Sequence, residues 1–256
     1  MDAKQNRCGC AVFIKEWNMS DQTKLDDYFK HRTISDESYG AYKIPRYLIP
    51  FLPANKDARI LDVGCGMGQF LGAMRELGYT NLHGIDINSE ALDACKKKGL
   101  QVSKISDTRE FVVEEAEKFD WIIMSHVLEH IEKDWVIDTL KHIREKLMSK
   151  DGSFALMVPN GQSFTGTYWR YEDFTHHTVF TAGSCLYVLR AAGFGSIQFM
   201  DADGTSQMSF WKKCIIKFLI ACYKKREDFW GLVLQTSYHK PSPRIYSFEL
   251  KVLSRN

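Results

Sequence analysis

The 256-residue chain predicts an α/β protein built on a mostly parallel sheet with helices on both faces. Three observations carry that expectation. From residue 58 onward strand signals alternate with helical periodicity, the order that crossovers between parallel strands require. The first strand runs into a turn with glycine at every second position (Gly64, Gly66, Gly68), and an apolar-periodic helix follows directly. The run Trp121-Ile122-Ile123-Met124 lacks polar alternation, as suits a strand buried on both faces. A chain of this length fits one large domain with insertions, or one domain plus a small lobe.

Taken in order, residues 1–57 read as a polar arm and helical cap closed by Pro50 and Pro53, and residues 58–256 as the main domain. Arg59–Val63 is the first strand. Its following helix puts Phe70, Leu71, Met74 and Leu77 on one side and stops at Gly78. Leu82–Asp86 is the second strand, with a helix from about Ser89 to Lys98. Gln101–Ile105 makes a weakly marked third strand, and Phe119–Ser125 the fourth. A helix from about Asp134 to Met148 aligns Val136, Ile137, Leu140, Ile143 and Leu147. Ser153–Val158, ended by Pro159, is the fifth strand. Thr181 caps a helix that runs to Ala192 and stops at Gly193. Phe194–Met200 and Arg244–Leu253 are the last two strands. The insertion between them, at about 205–243, is long enough to carry structure of its own.

Dinucleotide-binding turns use the spacing G-x-G-x-x-G and hold a pyrophosphate on the helix N-terminus. Here the spacing is G-x-G-x-G, and Asp62 stands two places before Gly64. A carboxylate there repels a pyrophosphate, which disfavours an NAD(P)-dependent oxidoreductase. It suits a ligand with a positive charge and an amine, and S-adenosylmethionine carries both. The segment Ile60-Leu61-Asp62-Val63-Gly64-Cys65-Gly66-Met67-Gly68 closely resembles motif I of the class I S-adenosylmethionine-dependent methyltransferases. The order of elements is similar to that family over residues 58–204 and again over 244–253.

The resemblance implies a Rossmann-like, seven-stranded sheet whose last strand is antiparallel, with a helical N-terminal cap and a helical insertion before that strand. It implies S-adenosyl-L-methionine as cofactor, bound at the carboxyl ends of the strands by Asp62, Gly64, Cys65, Gly66 and Gly68. Asp86, followed by Ile87, falls where the family binds the cofactor ribose; the plain alternative is a cap for the helix after Asn88. Asp107 and Thr108 fall where the adenine amine is recognised. Ser125 and His126 pass the methionine end.

Methyl acceptor chemistry is expected in residues 168–180, beyond the fifth strand. Asp173-Phe174-Thr175-His176, followed closely by Phe180-Thr181 and a helix ending in Ala191-Ala192-Gly193-Phe194, resembles bacterial methyltransferases of surface-polysaccharide and other sugar pathways. An O-methyltransferase acting on a sugar, nucleotide sugar or phosphorylated glycan follows as the expected reading. A hydroxyl acceptor benefits from a base, worth roughly a hundredfold to ten-thousandfold. Histidine is the side chain whose ordinary titration lies near neutrality, so His176 suits that role, with Asp173 beside it and His126 as a further catalytic residue. Tyr168, Tyr171 and His177 are expected to contact the acceptor, and Arg170 to grip a phosphate. The plain alternative is that Asp173 and His176 brace the helix after Thr181.

His126-Val127-Leu128-Glu129-His130 formally satisfies H-x-x-E-H, a metallopeptidase pattern. A zinc protease needs both histidines on one face of a continuous helix, and this stretch directly follows a buried strand. No metal is therefore expected. Seven scattered cysteines suggest reduced thiols in the cytoplasm, and Cys8-x-Cys10 lacks a second pair for zinc. A formal net charge of +2 argues neither for nor against nucleic acid, and the expected partner is a small-molecule acceptor rather than a nucleic acid. Residues 210–226 set six Lys/Arg among Trp, Phe and Ile. That pattern suits a peripheral contact with an anionic membrane face, or a lid or dimer helix. A cofactor-binding protein without turnover, using this helix as an interaction module, is the rival from another class.

Overall fold

Seven strands form one sheet in the order β3-β2-β1-β4-β5-β7-β6. They are β1 (Ile60–Val63), β2 (Leu82–Asp86), β3 (Val102–Lys104), β4 (Phe119–Ser125), β5 (Met148–Pro159), β6 (Ser196–Phe199) and β7 (Glu249–Arg255). β7 runs antiparallel to both β5 and β6, and the pairings from β3 across to β5 are parallel. This is the Rossmann-like mixed sheet that the sequence predicts. The computed structural model describes residues 28–32, 42–236 and 242–256. Most of the expected arm and cap, including Cys8 and Cys10, lies outside the described residues.

Helices connect the strands: α1 (Tyr28–His31), α2 (Gln69–Glu76), α3 (Ser89–Lys97), α4 (Val136–His142), α5 (Gly166–Glu172), α6 (Ala182–Ala191) and α7 (Phe210–Val233). The two-residue period of β4 divides the core. Trp121 and Ile123 pack on one face with Phe70, Leu71 and Leu92. Ile122 and Met124 pack on the other with Leu140, Ile143, Cys185 and Leu189. Burial on both faces is why the run shows no polar alternation.

Register sets the functional edge. Val63 of β1 lies beside Ile85 of β2 and Met124 of β4, so these three strands end together. From β1 the chain runs outward through β2 to β3 and then crosses back to β4 on the other side of β1, and the crevice beyond that switch point is where open α/β sheets bind ligands.

Some boundaries move. The single helix expected over 134–148 is a 3-10 turn (Lys133–Trp135), then α4, then a π-type turn (Ile143–Leu147). β5 begins at Met148 rather than Ser153, because Met148 pairs with Phe119 across a register shift that the turn-forming Asp151-Gly152 disguises. β7 begins at Glu249 rather than Arg244. The carbonyls of Ile245 and Ser247 accept from the buried Asn160 side-chain amide instead of a neighbouring strand. α6 keeps its expected cap, with Thr181 and Ser184 in a reciprocal capping box. The described part of the insertion is dominated by α7, which buries none of its residues. Among the described residues, no helix is long and apolar enough to cross a membrane.

Candidate active site

The turn after β1 is left-handed at all three glycines, with φ of +73° at Gly64, +50° at Gly66 and +79° at Gly68. Only glycine takes that region without cost. At Gly64 the need is steric too, since a Cβ there would lie 2.2 Å from Cγ2 of Val127. The turn is braced from β2. Asp86 accepts the Gly66 N–H on one carboxylate oxygen and the Asn88 N–H on the other, each at 2.8 Å. The cap of α3 is Asn88, whose side chain accepts from the Ala91 N–H. Asp86 therefore joins two strand tips and keeps acceptor capacity, since a carboxylate offers about four lone-pair positions.

Asp62 is buried beneath this turn. Burial, and secondarily the nearby Asp86 charge, push its carboxyl up to about 8. Burial also raises Asp86, opposed by its backbone N–H donors. Two desolvated carboxyl groups at one end of a crevice favour a cationic occupant, which would relieve the cost of ionising them.

The crevice is a cavity of about 520 Å³. Of the residues expected to hold cofactor, Asp62, Gly64, Cys65, Gly66, Asp86, Ile87, Asp107, Thr108, Ser125 and His126 line it, and Gly68 lies behind the turn. Asp107 is paired to Arg109, whose backbone N–H and guanidinium both donate to it at 2.5–2.9 Å. That guanidinium holds the Asp107 carboxyl below the usual range.

The acceptor-side residues divide differently. His177 lines the cavity, whereas Asp173, His176, Tyr168, Arg170 and Tyr171 do not. Arg170 donates to the His176 carbonyl and lies over the Tyr171 ring. Tyr168, Tyr171 and Phe174 face outward, at 54, 74 and 100% exposure. Asp173 accepts from the Thr175 hydroxyl at 2.6 Å and the Tyr28 hydroxyl at 2.7 Å. Those donors outweigh burial and hold its carboxyl down at about 2.

Histidine chemistry concentrates behind β4. His126, at φ +55°, holds its ring 3.3 Å from Glu129 and 3.1 Å from Glu249. Burial works against its charge, but the two carboxylates prevail and push the imidazole up to about 10. The two carboxylates thus favour the charged form of His126, and a protonated imidazole has no lone pair to take a proton. Leu128–His130 is a 3-10 turn, so His126 and His130 do not share a continuous helix face. His130 instead meets His176, their ring centroids 4.7 Å apart. Burial lowers the His130 imidazole.

The neutral tautomers follow from the hydrogen bonds. The Thr175 hydroxyl spends its one proton on Asp173, so it accepts from Nδ1–H of His130 at 2.8 Å. Nδ1 of His176 donates to the Trp169 carbonyl at 2.7 Å. In each ring the hydrogen bond thus occupies Nδ1, and Nε2 is the nitrogen left for other partners. His130 lines the cavity and His176 stands behind it. In the sequence, Glu129 and His130 stand out only through the H-x-x-E-H pattern, which points to a different chemistry. Nothing in the chain order points to Glu249 or Tyr28, which lie 123 and 145 residues from the side chains they bond.

A glycine-turn cavity at the switch point of a sheet whose penultimate position holds an antiparallel strand is the architecture of a class I methyltransferase. A family model described as a methyltransferase domain matches residues 37–198, more than half of the chain, and the chain belongs to that family. Its cofactor is S-adenosylmethionine, and the glycine cradle and buried carboxyls fit that cationic ligand. Among curated proteins, the chain is 31% identical over 131 residues to a ubiquinone biosynthesis O-methyltransferase of Actinobacillus pleuropneumoniae, covering 44% of this chain and 56% of that one. The chain thus spans about half the length of the curated relatives it matches. Among solved structures, it is similar to an S-adenosylmethionine-dependent methyltransferase from Archaeoglobus fulgidus. The TM-score is 0.57 at 21% identity, covering 91% of this chain and 99% of that one. It is also similar to the Haemonchus contortus phosphoethanolamine N-methyltransferase 2, at TM-score 0.56 and 16% identity over 90% of this chain and 60% of that one. One fold thus serves both oxygen and nitrogen acceptors, and the site must decide between them.

Proposed function

We propose that the protein is an S-adenosylmethionine-dependent O-methyltransferase with a small-molecule acceptor. The observation that carries this is the buried Asp62 beneath the glycine turn, with the Gly66 N–H held by Asp86. The curated O-methyltransferase relatives support oxygen as the acceptor atom. In this reading the motif I backbone and Asp62 hold the methionine end, Asp86 accepts the ribose hydroxyls, and Asp107 with Thr108 reads the adenine. Ser125 and the His126 cation border the methionine end. When bound, the cofactor supplies an electrophilic methyl group on a sulfonium. The chain's own part is to exclude water, align the acceptor with that methyl and receive the acceptor's proton. The receiving group is the His130–His176 pair. His130 presents Nε2 at the cavity wall, while His176, braced through Trp169 and Asp173, supports it from behind.

A sugar-containing or phosphorylated acceptor is the finer reading, and it rests on the exposed aromatic loop at Tyr168, Tyr171 and Phe174. An acceptor from ubiquinone biosynthesis is the second reading, favoured by the names of the curated relatives. Cytoplasmic placement with a peripheral contact at an anionic membrane face is supported by α7. There Trp211, Phe218 and Phe229 are exposed beside Lys217, Lys224 and Lys225. Co-sedimentation with anionic but not neutral vesicles tests that contact.

The central test is thermal. S-adenosylmethionine and S-adenosylhomocysteine should raise the melting temperature, and NAD and NADP should not. A ligand at a hundred times its Kd stabilises by about 2.7 kcal/mol, a shift easily read. Asp86→Ala should weaken the response. Stabilisation by NAD alone would overturn the assignment. Methyl transfer from labelled cofactor to sugar phosphates, nucleotide sugars and hydroxylated aromatic rings then separates the acceptor readings. Cofactor binding with no transfer across that panel would favour a non-catalytic protein.

A further inference from the structure

Glu129 has no exposed surface, and neither of its carboxylate oxygens makes a hydrogen bond among the described residues. Its electrostatic neighbours are His126 at 3.3 Å and Nε2 of His176 at 4.0 Å. The ion pair with His126 offsets part of the cost of burying this carboxylate, and its lone pairs still accept no hydrogen bond among the described residues. One ligand atom each from Glu129, His130 and His176 lie within 4.8 Å of one another. The hydrogen bonds of both histidines engage Nδ1, so Nε2 is the nitrogen available to a ligand.

From this arrangement we infer that Glu129, His130 and His176 form a binding site for a divalent transition metal of the zinc class, with an open coordination position toward the cavity. This replaces the sequence expectation of no metal. That expectation weighs a protease site with His126 and His130 on one helix and a zinc pair at Cys8 and Cys10, and neither includes His176. The fold removes His126 from the set and brings in His176 from a loop 46 residues further on.

The donor set suits the ion. Two imidazole nitrogens and one carboxylate, with a fourth place open, is a recurring catalytic zinc arrangement. The outer partners suit it as well. Histidine ligands of metals donate their other N–H to a carbonyl or a carboxylate-linked group, which fixes tautomer and orientation. His176 does so to the Trp169 carbonyl. His130 does so to Thr175, which is anchored on Asp173. Ligand atoms on one zinc lie roughly 3.3–3.5 Å apart, from bonds of about 2.0–2.1 Å at tetrahedral angles. The 4.0 Å between Glu129 and His176, and a spread of up to 4.8 Å across the three ligand atoms, must therefore close by roughly 0.5–1.5 Å through side-chain rotation. His126 keeps its partner Glu249 at 3.1 Å when Glu129 turns to a metal.

The charges point to an oxygen ligand. Two neutral imidazoles and one carboxylate leave a divalent ion with a surplus positive charge, which favours an anionic oxygen at the open position. With a metal in place the two imidazoles would no longer receive the proton themselves; a bound acceptor hydroxyl would instead lose its proton to solvent at lower pH, and the alkoxide or phenoxide would be held at the cavity wall that His130 lines. This acceptor role rests on the O-methyltransferase reading; the metal site does not.

The test uses the full chain, stripped with chelator and titrated with Co²⁺ and Zn²⁺. One equivalent per chain is expected, with the visible bands of four-coordinate cobalt and no thiolate charge-transfer band. Glu129→Gln and His176→Asn should each weaken binding at least a hundredfold. Thr175→Val, which frees the outer nitrogen of His130, should weaken it by about ten- to a hundredfold. His126→Gln should hold metal within threefold of the parent. An unchanged circular-dichroism spectrum and a cooperative thermal melt of every variant confirm that the fold is intact. A thiolate band, affinity unchanged by Glu129→Gln and His176→Asn, or equal loss on His126→Gln would overturn the site. Full turnover by metal-free enzyme would overturn the acceptor role. Failure of the parent to bind S-adenosylhomocysteine would strike the methyltransferase reading and leave the metal result standing.

Discussion

The cofactor wall of the cavity is largely backbone, supplied by the tips of β1, β2 and β4, whereas the acceptor wall is a web of side chains drawn from distant segments. The first wall depends on conformation: left-handed glycines, N–H groups aimed by Asp86, and strands that end in register. The second depends on charge. Glu249, His126, Glu129, His176 and Asp173 follow one another at 3.1–4.0 Å, and Lys251 extends the series beside Glu249 at 3.5 Å. A backbone wall fails when a single atom is added. A charge web fails by degrees, with pH and with each partner removed.

The largest effect is expected where the backbone wall has no tolerance. Gly64→Ala adds a Cβ that overlaps Val127 and strains a φ of +73°. Calorimetry should show S-adenosylhomocysteine affinity falling more than a hundredfold, with a loss of stability of about 1–3 kcal/mol from overpacking. Near-parental affinity would mean that the turn is not a close-fitting cradle.

His176→Ala probes the other wall. Turnover should fall at least a hundredfold (about 2.7 kcal/mol of barrier), while cofactor affinity stays within threefold. The loss belongs in kcat, since the group acts on the acceptor's proton whether by itself or through a metal. A matching loss of cofactor affinity would show that the two walls are one unit.

A smaller effect comes from His126. Its folded imidazole titrates at about 10 against an ordinary 6.5. A raised histidine stabilises fully below the ordinary value, and that contribution is lost as pH rises through the folded one. The melting temperature should therefore fall between about pH 6.5 and 10, and His126→Gln should flatten the fall. Parallel curves for the two proteins would show that the ring is not held as a cation.

The smallest expected change is a gain. A Cβ added at Gly72, inside α2, would meet no atom within 4 Å, and the backbone there is ordinary helix. Gly72→Ala should stabilise by about 0.5–1 kcal/mol in denaturant unfolding without altering cofactor binding. Set beside Gly64→Ala, it separates a glycine the site needs from one it does not.

What the chain determined by itself was local and periodic. Apolar runs and helical stripes placed the strands and the helix faces, because burial on one face or two imposes its own period. The turn Asp62–Gly68 announced its ligand, since steric freedom and a nearby carboxylate are properties of adjacent residues. Thr181 marked its helix for the same reason. The helical stripe over 134–148 overruns the true end of the helix, because Met148 changes from helix to strand by pairing with Phe119. The acceptor wall was tertiary from the start. His176 and Asp173 stood out as chemistry, but only folding put His176 behind His130. Only folding joined Tyr28 to Asp173, and locked His126 between Glu129 and Glu249 as a cation. Coulomb interactions and hydrogen bonds act through space, and a residue's charge state belongs to its neighbours in three dimensions, which the order of the chain does not record.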